Sequence, residues 1–223
     1  TSRLYEEVKM IEVKNVFKKY KDIVLFEDTS VKFQIGKKVL IKGANGTGKS
    51  VFLKMIVGYS RPDSGEIIVD NYKIGEDNDF ILNSGISINA PEFYNNWTGL
   101  ENLMYLANIR KLASENDIIK LATDLELENV LNKKYKTYSL GMRQKMRIIQ
   151  ALMDNPKYLI LDEPFDALDA KSQKKVSDIL DIFIDNNKLL IFTTHNSEHE
   201  KFADDIYEID DFKVKPVKNK IAL

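Results

Sequence analysis

The chain has 223 residues, and 33 Lys and Arg against 34 Asp and Glu give a formal net charge of -1. Hydrophobic residues make up 43% and charged residues 30% of the sequence, which is ordinary for a globular protein and argues against a disordered or fibrous chain. The near-neutral charge gives no electrostatic reason to expect nucleic-acid binding, and the absence of cysteine excludes disulfides, thiolate metal sites and thiol nucleophiles. No stretch approaches the ~20 apolar residues of a membrane-spanning helix.

Strand-like and helix-like segments alternate along the chain. Short runs that are apolar, or apolar at every second position, predict strands, and apolar residues at 3.6-residue spacing predict helices. Strands that alternate with helices imply an α/β fold with a parallel sheet covered on both faces. In chain order, the predicted elements are strands at 11–16, 31–35 and 39–41, a helix at 51–56, strands at 67–69 and 86–88, a mostly helical stretch at 90–154, a strand at 158–161, a helix at 176–183 and a strand at 189–192.

The middle of the chain differs in character from the rest. Thr98 begins a capping-box pattern, and apolar residues recur at helical spacing as far as Leu125. No repeat or low-complexity linker interrupts the sequence, and Met10 is a candidate native start. The predicted organisation is one unit at 10–223, with a core at 10–89 and 155–223, an inserted helical subdomain at 90–154, and an N-terminal extension at 1–9 interpreted as a cloning remnant.

A glycine-rich loop lies between a predicted buried strand and a predicted helix. It reads Gly43-Ala44-Asn45-Gly46-Thr47-Gly48-Lys49-Ser50 and matches the pattern G-x-x-x-x-G-K-[ST]. The glycines let backbone N–H groups point at phosphate oxygens, and the helix N-terminus adds partial positive charge. We expect Lys49 to reach the β- and γ-phosphates, as a candidate catalytic residue, and the Ser50 hydroxyl to bind Mg²⁺. The candidate nucleotide-binding residues of this loop are Asn45, Gly46, Thr47, Gly48, Lys49, Ser50 and Val51.

Two acids follow another predicted buried strand. Residues 158–161 are apolar, and Asp162 and Glu163 come directly after them. Carboxylates at the C-terminal end of a parallel strand face the ligand crevice of such sheets. In a phosphate-loop protein, Asp162 is placed to hold Mg²⁺, directly or through water, and Glu163 is the candidate general base.

The glycine-rich loop and the two acids, together with four other motifs in the order that the family has, resemble the ATP-binding cassette (ABC) transporter ATPases. The resemblance covers nearly the whole chain from about Met10. The loop resembles the family's Walker A motif, and 159–164 resembles its Walker B motif. The resemblance implies a phosphate-loop NTPase (RecA-like) core with a parallel sheet, an N-terminal antiparallel β subdomain and an inserted helical subdomain. The other matching segments are the signature at 138–144, the D-loop at 167–169, the switch histidine at 193–195 and an adenine-stacking aromatic residue at Tyr20.

The resemblance also implies a mechanism in which a homodimer meets head to tail around ATP. Ser139 and Gly141, at a helix N-terminus, would bind the γ-phosphate of the ATP held by the other copy. Glu163 would act as the base, His195 would hold the γ-phosphate and the attacking water, and Asp169 would contact the facing site. An integral membrane permease subunit would receive the work, which predicts a peripheral protein on the cytoplasmic face of a bacterial cell membrane.

Two departures from the family pattern affect the site. Leu140 and Met142 replace a glycine and a glutamine of the usual signature. The glutamine that touches Mg²⁺ and the membrane partner has no plain equivalent, and Asn89, one methylene shorter, occupies roughly its position as a candidate Mg²⁺ ligand. These features look like those of the ATPases of bacterial bacitracin, lantibiotic and multidrug exporters.

Other interpretations stay open beside this one. A soluble ABC-type ATPase that acts on nucleic acid or the ribosome typically carries long coiled coils or a second cassette, and neither is visible in the sequence. An ATP-sensing regulator that does not hydrolyse is disfavoured by the presence of Glu163 and His195. A GTPase should carry Asn-Lys-x-Asp, and the two nearest matches fail at Tyr135 and Leu190. We interpret His199 as a satisfied surface or core residue.

The apolar residues of the helical stretch, Trp97 included, are expected mostly in the core. Near Phe93 and Tyr94 the sequence allows a socket for a helix of the membrane partner, and an exposed apolar patch would be its visible sign.

Overall fold

The computed structural model describes residues 10–89, 93–185 and 187–217. Its strands are β1 (Met10–Tyr20), β2 (Ile23–Gln34), β3 (Lys37–Lys42), β4 (Ser64–Val69), β5 (Tyr72–Lys73), β6 (Ser84–Ser87), β7 (Tyr158–Leu161), β8 (Leu189–Thr193), β9 (Asp205–Asp210) and β10 (Lys213–Pro216). Its α-helices are α1 (Lys49–Val57), α2 (Gly99–Arg110), α3 (Glu115–Asp124), α4 (Leu140–Leu152) and α5 (Ala170–Phe183). Short 3₁₀ helices lie at Glu128–Val130, Tyr135–Thr137 and Ser197–Phe202.

Two sheets organise the molecule. Six strands form a sheet in the order β10-β9-β3-β8-β7-β6, in which β6, β7, β8, β3 and β9 pair in parallel and β10 pairs antiparallel with β9. The other sheet is antiparallel, in the order β2-β1-β4-β5. The prediction of an α/β fold with a parallel sheet and an N-terminal antiparallel part is therefore confirmed.

The parallel sheet is buried on both faces because alternate residues of its strands enter two separate cores. In β3, Val39 and Ile41 pack into the core that contains α1 and the antiparallel sheet, whereas Leu40 packs into the core that contains α2 to α5. In β8, Ile191 packs into the core that contains α1, and Phe192 packs into the core that contains α2 to α5. This double burial explains the continuous apolar runs in the sequence, and it leaves the C-terminal ends of the strands as the place for polar chemistry.

Helices α2, α3 and α4 lie between β6 and β7 in the chain. The capping box predicted at Thr98 and Glu101 is present at the start of α2, and Ser114 and Asp117 form a second one at the start of α3. The buried sides of these helices join the core on one face of the parallel sheet. The helical stretch is thus packed on the sheet through apolar contacts.

Some features differ from the sequence prediction. Strands β5, β9 and β10 were not predicted, and Trp97, which was expected in the core, is 38% exposed. The hairpin turn between β9 and β10 escapes detection because Asp211 and Phe212 adopt φ values of 47° and 58° without the glycine that normally signals such a turn. Within the described ranges, the helices are too short or too polar to cross a lipid bilayer.

Candidate functional site

The glycine-rich loop connects the C-terminal end of β3 to the first turn of α1. Gly46 and Gly48 have φ values of 84° and 100°, a backbone conformation that glycine adopts without steric cost. Of the five α-helices in the described residues, α1 alone lacks a side-chain cap, whereas Thr98, Ser114, Ser139 and Asp169 cap the other four. The N-terminal N–H groups of α1 are therefore available to an anion.

Lys49 lies inside this loop and is only 7% exposed. Its ammonium Nζ donates hydrogen bonds to the carbonyl oxygens of Gly43 at 2.8 Å and Ala44 at 3.2 Å. The Thr47 hydroxyl donates to the same Ala44 carbonyl at 2.9 Å. The loop is thus ordered around a cation, as binding of a phosphate chain requires.

One cavity of about 360 Å³ brings together most of the residues predicted for metal binding and catalysis. Ser50 enters it from α1, Asn89 from the segment after β6, and Asp162 and Glu163 from the end of β7. A hydroxyl, an amide oxygen and carboxylates are the donors that Mg²⁺ prefers, so the residues present fit that ion. The lining is Ser50, Ser87, Asn89, Gln144, Arg147, Asp162, Glu163 and Asp166. This cavity is called the polar cavity below.

Thr193, at the end of β8, fixes the two acids of the polar cavity. Its buried hydroxyl donates to Asp162 Oδ1 at 2.6 Å and accepts the backbone N–H of Glu163 at 2.9 Å. Glu163 itself has a φ of 50°, which is unusual for a residue with a side chain. The hydroxyl of Thr193 therefore supports a strained backbone and orients the neighbouring carboxylate at the same time.

Glu163, Asp166 and His195 converge at the edge of the polar cavity, with ligand atoms within 4.8 Å of one another. His195 Nδ1 lies 3.7 Å from a carboxylate oxygen of each acid. Burial raises the pKa of Glu163, the neighbouring Asp166 raises it further, and His195 and Lys49 oppose the shift. A carboxyl group whose pKa is raised is a better proton acceptor than an ordinary glutamate once it is ionised.

The predicted signature residues lie at the start of α4. Ser139 is the N-cap, and its hydroxyl accepts the N–H of Met142 at 3.2 Å. A Cβ atom on Gly141 would lie 3.0 Å from the carbonyl oxygen of Ala167, so the chain segment after Glu163 approaches this glycine closely. Leu140 is 73% exposed at the same helix tip. The tip is thus an exposed surface that a single copy of the chain leaves uncovered.

Comparison with known proteins agrees with this geometry. A sequence model described as "ABC transporter" matches residues 26–166, which is more than half of the chain. The chain belongs to the ABC transporter family. It is 34% identical over 189 residues to the ABC transporter ATP-binding protein YybJ of Bacillus subtilis, covering 85% of this chain and 87% of YybJ.

Two further relatives carry names that specify a transported compound. The bacitracin transport ATP-binding protein BcrA of Enterococcus faecalis is 34% identical, over 87% of this chain and 64% of BcrA. The lantibiotic transport ATP-binding protein SrtF of Streptococcus pyogenes is 29% identical, over 92% of this chain and 89% of SrtF. The resemblance to this group of ABC ATPases is therefore confirmed.

Among solved structures, the cassette shares its fold with a dimeric post-hydrolysis state of the ATP-binding cassette MJ0796 bound to ADP and phosphate. The TM-score is 0.81 at 27% sequence identity, and the match covers 92% of this chain and 96% of that one. The cassette is an ATPase of this family.

The sequence also made a prediction for Tyr20, as the adenine-stacking residue, and for His199, as a residue without a role in the site. Tyr20 lies at the end of β1, is 65% exposed, and has the ammonium of Lys21 at 5.9 Å from its ring centre. His199 is half-buried, with Nδ1 at 2.9 Å from the Thr194 hydroxyl and its ring 4.3 Å from that of Phe165. Burial lowers the pKa of His199. Tyr20 is thus open to a nucleobase, and His199 is a satisfied residue in this cassette.

Besides Ser87, which also lines the polar cavity, four residues of the cavity and its support were not assigned roles from the sequence. Thr193 orients the acids, and Gln144 donates its amide N–H to the Glu163 carbonyl at 3.1 Å. Asp166 and Arg147 line the cavity directly. The pattern Thr-Thr-His at the end of a buried strand is the one signal that points to Thr193.

Proposed function

We propose that this chain is the ATP-hydrolysing subunit of a bacterial exporter of antimicrobial peptides, drugs or similar solutes. The observation that carries the proposal is the polar cavity, because it joins Ser50 of the phosphate loop with Asp162, Glu163 and Asn89. The names of BcrA and SrtF support the export of peptide antibiotics. A soluble ATPase acting on nucleic acid or ribosomes has no comparable support.

In the proposed reaction, the backbone N–H groups of the loop and Lys49 bind the phosphate chain of ATP. Ser50, Asp162 and Asn89 would hold Mg²⁺, which supplies charge neutralisation on the β- and γ-phosphates when bound. Glu163 accepts a proton from the water that attacks the γ-phosphate, and His195 orients that water. The metal and base roles are supported by the convergence of Ser50, Asn89, Asp162 and Glu163 on one cavity and by the raised pKa of Glu163. The role of His195 is supported by its Nδ1 atom, which lies 3.7 Å from the Glu163 carboxylate.

The proposed active unit is a head-to-tail homodimer. Ser139 and Gly141 would present the N–H groups of the α4 tip to the ATP of the other copy, because a helix N-terminus attracts phosphate. The exposure of Leu140 at that tip and the dimeric form of the MJ0796 cassette support the pairing. Tyr20 would stack on the adenine ring.

The proposed membrane partner would dock on a second cavity of about 360 Å³, called the aromatic cavity here. Its wall carries Tyr94 and Tyr105, which are 56% and 48% exposed and pack with Trp97. Exposed aromatic side chains in a cluster are typical of protein interfaces, and docking there would place the chain at the cytoplasmic face of the membrane. The lining is Tyr59, Ile86, Ile88, Phe93, Tyr94, Asn102, Tyr105, Leu106 and Gln150.

The test is the variant Glu163→Gln, with Glu76→Gln as a control that removes an exposed carboxylate of the antiparallel part. Loss of a general base should slow ATP turnover by about 100-fold or more. Size-exclusion chromatography should then show an ATP-dependent dimer of Glu163→Gln, since bound ATP is no longer consumed. Wild-type turnover in Glu163→Gln would overturn the proposed role, and Glu76→Gln should behave as wild type.

A further inference from the structure

Arg147 is a half-buried cation that lines the polar cavity and has an unused donor. It lies on α4, two turns after the exposed tip, and its Nη1 donates to the Gln144 side-chain oxygen at 3.1 Å. Its Nε is inaccessible to water and has no hydrogen-bond partner in the described part of the chain. A buried donor of a charged group without a partner is costly, so such a group marks a place where a ligand is expected.

The charges around Arg147 point to an anionic ligand. The same cavity is lined by three carboxylates, those of Asp162, Glu163 and Asp166, yet none of them forms an ion pair with the Arg147 guanidinium within the described residues. A guanidinium that is not committed to a carboxylate keeps its planar fork of donors free, and that fork matches the oxygens of a phosphate.

The position of Arg147 is fixed by contacts on the same helix. Gln144 is buried, accepts the Arg147 hydrogen bond with its Oε1, and donates with its Nε2 to the Glu163 carbonyl at 3.1 Å. This chain of hydrogen bonds ties the guanidinium to the backbone of Glu163, two residues after the end of β7. Arg147 is thereby held in the wall of the cavity that Glu163 and Ser50 also line.

We propose that Arg147 binds the terminal phosphate of the nucleotide in the polar cavity, through its Nε and a second guanidinium N–H. The inference rests on the proposed function, since it assumes that the triphosphate of ATP reaches this cavity. The positive charge of Arg147 offsets the negative charge of the three acids, which would otherwise repel an anion.

The experiment compares the affinities of wild type and Arg147→Met for AMP-PNP and for ADP, both with Mg²⁺, by isothermal titration calorimetry. Because ADP lacks the terminal phosphate, the variant should lose affinity for AMP-PNP by about tenfold to 100-fold relative to ADP, the effect of a charge-assisted hydrogen bond. The matched control is Arg143→Met. Arg143 lies one turn earlier, donates to the Tyr138 carbonyl and packs on Tyr135, outside the cavity.

The proposal would be overturned if the ratio of AMP-PNP affinity to ADP affinity were the same in Arg147→Met as in wild type. It would also be overturned if Arg143→Met changed this ratio as much as Arg147→Met does. Thermal unfolding checks that the variants are folded. Should Arg147→Met fail to fold, Arg147→Gln, which keeps a polar side chain at this position, carries the same comparison. An unchanged ratio together with loss of turnover in Glu163→Gln would reject the role of Arg147 while leaving the ATPase proposal intact.

Discussion

Two cavities of similar volume meet at β6 and have opposite chemical character. Ser87 and Asn89 line the polar cavity, whereas Ile86 and Ile88, which alternate with them along the chain, line the aromatic cavity. Helix α4 borders both, with Arg147 facing the polar cavity and Gln150 the aromatic one, each about 360 Å³ in volume. Strand alternation thus lets one short segment serve two sites.

The largest expected effect is the loss of ATP binding at the phosphate loop, beside the polar cavity. Lys49→Ala should weaken ATP binding on the order of 100-fold, because it removes the charged donor to the phosphates. Lys54→Ala, in the last turn of the same helix, is the control. Calorimetric titration with ATP measures both variants, and near-wild-type affinity in Lys49→Ala would contradict the assignment of the phosphate loop.

A smaller effect is expected at the support of the polar cavity. Thr193→Val removes the hydroxyl that joins Asp162 to the Glu163 backbone, and we expect kcat to fall about tenfold with little change in KM for ATP. Thr193→Ser keeps the hydroxyl and should retain most of the activity. Steady-state ATPase kinetics decide the matter, and equal kcat values in the two variants would show that the hydroxyl is dispensable.

A substitution in the aromatic cavity should have the opposite effect: it should impair binding of the membrane partner and leave ATP turnover intact. Tyr105→Ser removes one of the packed exposed rings and should leave the basal ATPase rate of the isolated chain unchanged. Co-purification with a co-expressed membrane partner should be lost. Ile109→Ser, at a 67% exposed position one turn along α2, is the control that should keep the partner. Retention of the partner by Tyr105→Ser would place the docking surface elsewhere.

The smallest effect concerns stability alone. Ser114→Ala removes the N-cap of α3 and should lower the free energy of unfolding by about 1 kcal/mol, with no effect on turnover. Asn116→Ala, two residues on, should be nearly neutral. Urea denaturation followed by circular dichroism measures both, and a loss of ATPase activity in Ser114→Ala would mean that α3 is coupled to the polar cavity.

The sequence predicts those parts of the polar cavity whose chemistry demands a fixed spacing. The loop from Gly43 to Ser50 and the acids after β7 belong to this class, because a phosphate and a cation impose the order of the residues. Thr193 and Arg147 reach the same cavity from distant segments of the chain. Only the packing of the sheet and α4 brings them there, so the Thr-Thr-His pattern is the one local signal for Thr193 and no local pattern indicates the role of Arg147.

Exposure is the other property that the sequence did not give. Apolar periodicity correctly placed the helices, but it could not tell that Tyr105 in α2 and Trp97 just before that helix remain on the surface. An apolar residue looks the same in the sequence whether a core or a partner covers it. The hairpin of β9 and β10 was missed for a related reason. Phe212 occupies a turn position where glycine would have been the signal.

The pocket shared between two copies can be tested directly, because the chain contains no cysteine. One preparation would carry Asn45→Cys and another Ser139→Cys, both in the Glu163→Gln background, and the two would be mixed with a short bismaleimide cross-linker. We predict cross-linked heterodimers that form with ATP and Mg²⁺ but not with ADP, and no cross-linking within either preparation alone. Cross-linking that ignores ATP, or that joins identical variants equally well, would contradict a nucleotide clamped between the loop of one copy and the α4 tip of the other.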